Sequence, residues 1–362
     1  MLSIEVNGVV YGDAIEISVS RSLRDFTGSF QATSSANPQN QLPVKMNDAI
    51  KVLADGVAIF TGFIDVLGVR KSASEHSITF GGRDKTSDIY DSSIVLGEGF
   101  EDQKDFIDVF KLALKGNNIT GIDIINEAGT IQPLTDDDIL TAEVGDSVYD
   151  FIEPYARKQS IVVTSNEDGN VLLLRGGTQR IGLNLIHKID GAQNNVLSSS
   201  LSKNYEDRYN SYTAKSQLNP YTQTGEATTE EITDQEGVSD NDSEIRTSRT
   251  LIFNAEEDMD SDDSFNRAKF ENNIRRANSL NYSCVVQGHS VGGVPFKINR
   301  LAFIQDDFCG VSGDKLLHTI EFDYSLQGGS KTFLEFTNSD AYTLQAEQSA
   351  RAQAREDMGG DF

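Results

Sequence analysis

Histidines, acid clusters and cysteines are the residues of this chain whose types could do chemistry. The four histidines stand at positions 76, 187, 289 and 318. None lies three to five residues from another, and no H-E-x-x-H occurs, so a helical zinc pair is excluded. A Ser-His-Asp set stays open, because its members need not be sequence neighbours, but no G-x-S-x-G elbow is present. Cys284 and Cys309 show no C-x-x-C spacing; they read as free thiols in strand-like segments. Acid clusters occur at Asp136-Asp137-Asp138, Asp262-Asp263 and Asp306-Asp307. A glycosidase needs two carboxylates about 5 to 10 Å apart with separated pKa values, and an acid-rich chain supplies doublets by chance. The D-x-[DN]-x-[DN]-G spacing of a calcium loop is missing. The sequence therefore assigns no catalytic, cofactor-binding or metal-binding residue.

One further cluster has mixed charge. In "FGGRDKT", Phe80 to Thr86, two glycines end an alternating run and Arg83-Asp84-Lys85 follow. Neither G-x-G-x-x-G nor G-x-x-x-x-G-K-[ST] is matched, and the glycines end a strand rather than open a long helix. A phosphate cradle is the weaker reading. The stronger one is a corner where glycines relieve steric limits. Arg83 and Asp84 are then expected to make domain or subunit contacts.

The chain has 362 residues, with 56 acids against 31 bases and a net charge of −25. That length suits two or three domains. The acid excess argues against tight DNA binding, which requires cations that displace condensed counterions. "MLSIEVNGVVYG" lacks a basic region followed by an apolar one, so no signal peptide is expected, and no apolar run approaches the roughly 20 residues of a membrane span.

The elements that must position these residues read as follows. Residues 1–95 alternate polar and apolar (Leu2, Ile4, Val6; Ile15, Ile17, Val19), with a tight turn at Asp55-Gly56, and predict a first domain that is a small barrel or sandwich. Residues 96–176 predict a helix-hairpin module. Phe106, Val109, Phe110 and Ala113 form one helical stripe, ended by Gly116. Val148, Phe151, Ile152, Tyr155 and Ala156 form another, capped by Asp146 and kinked or shortened at Pro154. A hairpin turning at Asp168-Gly169 closes the module. Residues 177–340 return to strands and read as a further domain, with a helix at 261–280 and an acidic stretch at 219–245 that reads as a mobile loop inside the domain, the alternative being an interdomain linker. From Glu226 to Glu244 that loop holds eight acids and no base. A polar tail spans 341–362. No tandem repeat of fixed period is visible. The fold class is mainly β with some α, an α+β chain.

Four segments in order, "FGGRDKTSDIYDSS", "VGDSVYDFIEPYARKQSIVVTSNEDGNVLLLRGG", "FNRAKFENNIRRANSLNYSCVVQGHS" and "PFKINRLAFIQDDFCGVSGDKLLHTIEFDYSLQGGSKTFLEF", resemble the Mu-like bacteriophage baseplate hub family of contractile tails. The resemblance covers most of residues 1–340, and Pro154 departs from the family's uninterrupted helix. It implies two related small β-barrels per chain, a first β-barrel domain at 1–95 and a second β-barrel domain at 177–340, and a closed ring trimer. Six barrels then match a sixfold tail tube to a threefold spike around a DNA channel. The implied partners are two further copies, the tail tube protein or tube initiator, the central spike, other baseplate proteins and passing phage DNA, with no membrane insertion and no cofactor. The implied location is the virion tail, assembled in the host bacterial cytoplasm, and no enzymatic reaction is implied. The rival expectations are a cell-wall-degrading baseplate hydrolase, the hub of a related injection or secretion machine, and a receptor-binding module.

Overall fold

Alternating hydrophobicity sets most of the architecture. In this computed structural model the described residues are 1–11, 14–35, 44–72, 76–95, 100, 103–134, 142–191, 193–215, 245–254 and 261–342. The acidic loop (but for Ile245), the Asp136–Asp138 cluster and the tail beyond Tyr342 lie outside them. Strands β1 (Leu2–Val6), β2 (Val9–Tyr11), β3 (Ala14–Ser22), β4 (Ser29–Ser35), β5 (Ala49–Ala54), β6 (Val57–Phe63), β7 (Val66–Lys71) and β8 (His76–Arg83) come first. Helices α1 (Ser87–Asp91) and α2 (Phe106–Gly116), strand β9 (Ile124–Glu127), helix α3 (Val148–Lys158) and the hairpin β10 (Val162–Ser165) and β11 (Val171–Leu174) follow. Then come β12 (Leu185–His187), β13 (Val196–Lys203), β14 (Ser211–Lys215), β15 (Thr250–Asn254) and α4 (Ser261–Ser279). Strands β16 (Leu280–Gln287), β17 (Ser290–Val291), β18 (Val294–Pro295), β19 (Arg300–Asp306), β20 (Val311–Ser325) and β21 (Gly329–Asn338) complete the chain. The chain is mainly β, as expected.

Among the described residues no sheet closes into a barrel. Of the strands expected to form two barrels, β1, β2, β5 and β6 make a separate four-stranded sheet, and β3, β4, β7 and β8 join the later strands in one ten-stranded sheet, with main path β13-β16-β21-β20-β3-β4-β8-β7 and with β19 and β12 branching from β20. Every neighbouring pair on that path is antiparallel. The path contains one four-stranded unit twice. In both β3-β4-β8-β7 and β13-β16-β21-β20, the unit's first and second strands are neighbours, its fourth lies beside the second, and its third is outermost. The units run in the same direction and meet where β20 pairs β3, with Phe322 opposite Val19. Both first strands carry a bulge at the same point, between Ala14 and Glu16 in β3 and between Val196 and Ser198 in β13. Bulges fix local register, so the coincidence aligns the units residue by residue.

Behind the sheet lies the main core, which includes Ile17, Val19, Phe30, Phe80, Tyr282, Leu334 and Phe336 and is shared with the sheet β2-β1-β5-β6. A second core holds the helix-hairpin stripes, Phe106, Val109, Phe110, Val148, Phe151 and Ile152, against Val171 and Leu173. Asp105 caps α2 by accepting from the Asp108 backbone N–H. Ser147, not Asp146, caps α3, in a reciprocal box with Asp150. Helix α3 continues through Pro154, and α2 runs through Gly116 to Asn117. Gly116 serves close approach rather than termination: a Cβ there would lie 2.5 Å from the Val95 carbonyl.

Candidate functional site

The corner around "GGRDK" is built from glycines and one buried acid. At Gly82 a Cβ would sit 1.9 Å from the Phe63 carbonyl, and at Gly62 2.2 Å from the Arg83 carbonyl. Only glycine lets β6 and β8 approach so closely here. The Asp84 side chain is fully buried and accepts from the Gly28 backbone N–H, the Ser165 hydroxyl, and the backbone N–H and hydroxyl of Thr86. Arg21 lies 3.8 Å from Asp84 and donates to the Ser165 hydroxyl. Burial lowers the pKa of Arg21, and Asp84 counters it. Lys85 reaches the Gly121 carbonyl. Asp84 and Lys85 thus tie the first strands to the helix-hairpin module. Arg83 makes a two-pronged pair with Asp91 on α1, and its Nε lies 3.6 Å from Asp65. That pairing, led by the Asp91 hydrogen bond, raises the Arg83 pKa. Gly28, Thr86 and Ser165 were not singled out in the sequence, because nothing local marks a hydroxyl as the partner of an acid 81 residues away.

The outward face of the ten-stranded sheet is mostly polar and short-chained, with Val66 and Phe333 as exposed apolar side chains on it. Alternation turns Glu16, Ser18 and Ser20 of β3 outward, with Ser29, Gln31 and Thr33 of β4, Ser77 and Thr79 of β8, and Thr319, Glu321 and Asp323 of β20. Ser283 of β16 and Ser200 of β13 continue the row and bond each other at 2.9 Å. Acids outnumber bases: Glu16, Glu321, Asp323 and Glu335 stand against Arg70 and Lys331. Burial, then Glu321 and Glu16, raise the Asp323 pKa. The face is hollowed, with a concavity of about 580 Å³ over Ser18, Ser20, Gln31, Thr79 and Glu321.

Both ends of the sheet path are open strands with exposed apolar side chains. On β7, Val66 and Val69 are 65% and 69% exposed. Beside β13, Ile189, Leu197 and Phe308 are exposed too.

One histidine does find a serine and an aspartate. His187 Nδ1 lies 2.9 Å from the Ser199 hydroxyl and 3.3 Å from Asp306, with the Phe308 ring tilted against its own at a centroid distance of 4.7 Å. Both partners meet the same nitrogen. A hydrolytic relay needs the serine on one ring nitrogen and the acid on the other. Asp306 is buried and also accepts from the Tyr282 hydroxyl and the Cys309 backbone N–H. Burial alone would raise its pKa, but hydrogen bonds from Ser199, Cys309, Tyr282 and His187 outweigh that and lower it. The trio is a strand-linking network. It was invisible in the sequence, because its members are 12 and 119 residues apart.

A cleft of about 320 Å³ between β6, β9 and the β17–β18 hairpin holds two acids. Glu167 pairs with Lys297, and Glu127 lies 3.6 Å from Arg300. Among the described residues no group of three or more His, Cys, Asp or Glu is placed to hold a metal. Cys284 and Cys309 are both free. No described helix is long and apolar enough to cross a membrane.

Residues 1–84 match the family described as Mu phage baseplate assembly protein GpP-like, N-terminal. Over 289 residues the chain is 20% identical to the baseplate hub protein gp44 of Escherichia phage Mu, covering 79% of this chain and 74% of that protein. In fold it is similar to the 43 kDa tail protein of prophage MuSo2 from Shewanella oneidensis, with TM-score 0.77, 22% identity, and coverage of 94% of this chain and 99% of that one. It is also similar to a tail protein from Neisseria meningitidis MC58, with TM-score 0.76, 17% identity, and coverage of 94% and 97%. The resemblance to the Mu-like baseplate hub family, carried in the sequence by four ordered segments, is therefore borne out by an N-terminal family match, a hub relative spanning most of the chain, and the fold of prophage tail proteins.

Proposed function

We propose that this chain is a structural baseplate hub of a contractile phage tail, acting as a trimeric adapter around a DNA channel. One observation carries the reading: the four-stranded unit occurs twice, head to tail, in one sheet. Three chains supply six such units, so a threefold assembly can present a sixfold surface. Head-to-tail contacts of this kind close into rings when the rotation permits. The tail tube protein would meet the sixfold side and a spike protein the threefold side. Residues 1–95 and 177–340 are the two ring-forming domains, and 96–176 is a module outside the ring.

The concave sheet face lines the channel in this reading. Its serines, threonines and glutamine offer small groups with no array of cations, and its acid excess repels phosphate. DNA passes without being held. Asp84 acts as the domain contact, and Arg83 braces α1 beside it. No hydrolytic step is assigned, since His187 offers one nitrogen to both partners and the cleft carboxylates are ion-paired. Mass by light scattering with negative-stain imaging tests the reading. Three-chain rings support it, and a monomer that hydrolyses peptidoglycan replaces it with the hydrolase.

A further inference from the structure

The two units can be overlaid through their ladders, and the overlay says what should cover the open edges. Placing the Ala14 bulge on the Val196 bulge puts Val19 on Leu201. Across the strands it puts Ser34 on Val286 and Ile78 on Thr332. The next step puts Val69 on Phe322. Inside the chain Phe322 lies opposite Val19, and the two are 4% and 1% exposed. Their counterparts are Val69, 69% exposed on the open β7, and Leu201, half-buried on the open β13. This pair, split between two open edges, occupies the positions of a buried one.

We propose that β7 of one copy pairs antiparallel with β13 of the next, in the register of the internal β20–β3 joint, so that Val69 faces Leu201 and Gly68 faces Ser202. This rests on the ring reading and specifies its contact. The seam continues the ladder, satisfies two rows of edge hydrogen-bonding groups, and covers apolar surface that the single chain leaves in water. The equivalence also separates this register from one displaced by four residues, which would set Val69 opposite Leu197.

Disulfide trapping distinguishes the registers, because facing antiparallel residues have Cα separations of about 4.5 to 5.5 Å, within the range a disulfide spans. The background is Cys309→Ser; Cys284 is buried with its thiol pushed up to about 12 and stays inert. Oxidised Val69→Cys/Leu201→Cys should run as covalent two- and three-chain species on denaturing gels, and Val69→Cys/Leu197→Cys as single chains. Gly68→Cys/Ser202→Cys reports the same register from the channel face, should the first pair fail to assemble when reduced. If only the Leu197 pair cross-links, the register is overturned and the ring stands. If neither in-register pair cross-links in a protein that is trimeric by mass, the seam is overturned. A monomeric wild-type protein removes the ring reading, and the seam with it.

Discussion

Ala14 and Val196 begin the same bulge in two copies of one four-stranded unit, and β3 and β13 run from them in step. That equivalence turns an edge with exposed valines into half of a joint whose other half is visible within the chain. It also gives the acidic composition a place, on a concave face where small polar groups and an excess of carboxylates would line the proposed channel.

Asp84 should matter more than its neighbour. Asp84→Ala removes the carboxylate that most strongly offsets the burial of Arg21, leaving only the weaker pull of Glu167 and Asp168, and should cost roughly 3 to 5 kcal/mol in chemical denaturation. Arg83→Ala removes a partly exposed pair with Asp91, and should cost about 1 kcal/mol or less. Similar losses for the two variants would refute the corner as described.

Gly82→Ala and Gly62→Ala each drive a methyl into a backbone carbonyl that cannot rotate away. Each should destabilise the protein by about 1 to 3 kcal/mol or prevent folding. Gly8→Ala is the control for turn strain alone, with no atom within 4 Å of the added carbon. Equal melting points for Gly82→Ala and wild type would rule out the close β6–β8 approach.

Two buried histidines should make the fold sensitive to acid. Burial lowers the His289 pKa to about 4 and, with Arg24 adding, the His318 pKa to about 3. Each folded value lies below the ordinary 6.5, so the unfolded chain binds the proton first. Stability is then full above about pH 6.5 and falls as pH drops toward the folded values. Thermal melts from pH 7.5 to 4 should show this slope, and it should be shallower in His318→Asn. An unchanged slope in that variant would show that His318 does not contribute.

The proposed role of the concave face in lining a channel predicts a gain of binding. Glu16→Lys/Glu321→Lys/Asp323→Lys changes the charge by six per chain and should make the assembly retain DNA at low salt, with the retention lost as salt rises. The wild type should not retain it. Gel-shift titration at two salt concentrations reads the difference.

Local signals were legible in the sequence where one element decides them. The turn at Asp55-Gly56 takes positive φ at both residues, Gly169 does so in the second hairpin, and the α2 and α3 stripes fill one core. The choice of Ser147 over Asp146 as cap turned on one backbone step. The repeat was not legible. Its matching positions are 182 residues apart on the first strand and 253 on the third, as Val19 with Leu201 and Val69 with Phe322 show, so no fixed period exists. Its residues share only a facing direction, Ala32 standing where Cys284 stands. The His187 network and the Asp84 partners were hidden for the same reason, being joined by topology rather than spacing.

The central claim is that doubling within one chain lets three subunits display six. Averaged end-on images of the purified assembly test it most directly: the account predicts three subunits whose inner wall has six similar lobes. A ring of six chains, an open filament, or a three-chain ring with only three inner lobes would contradict it.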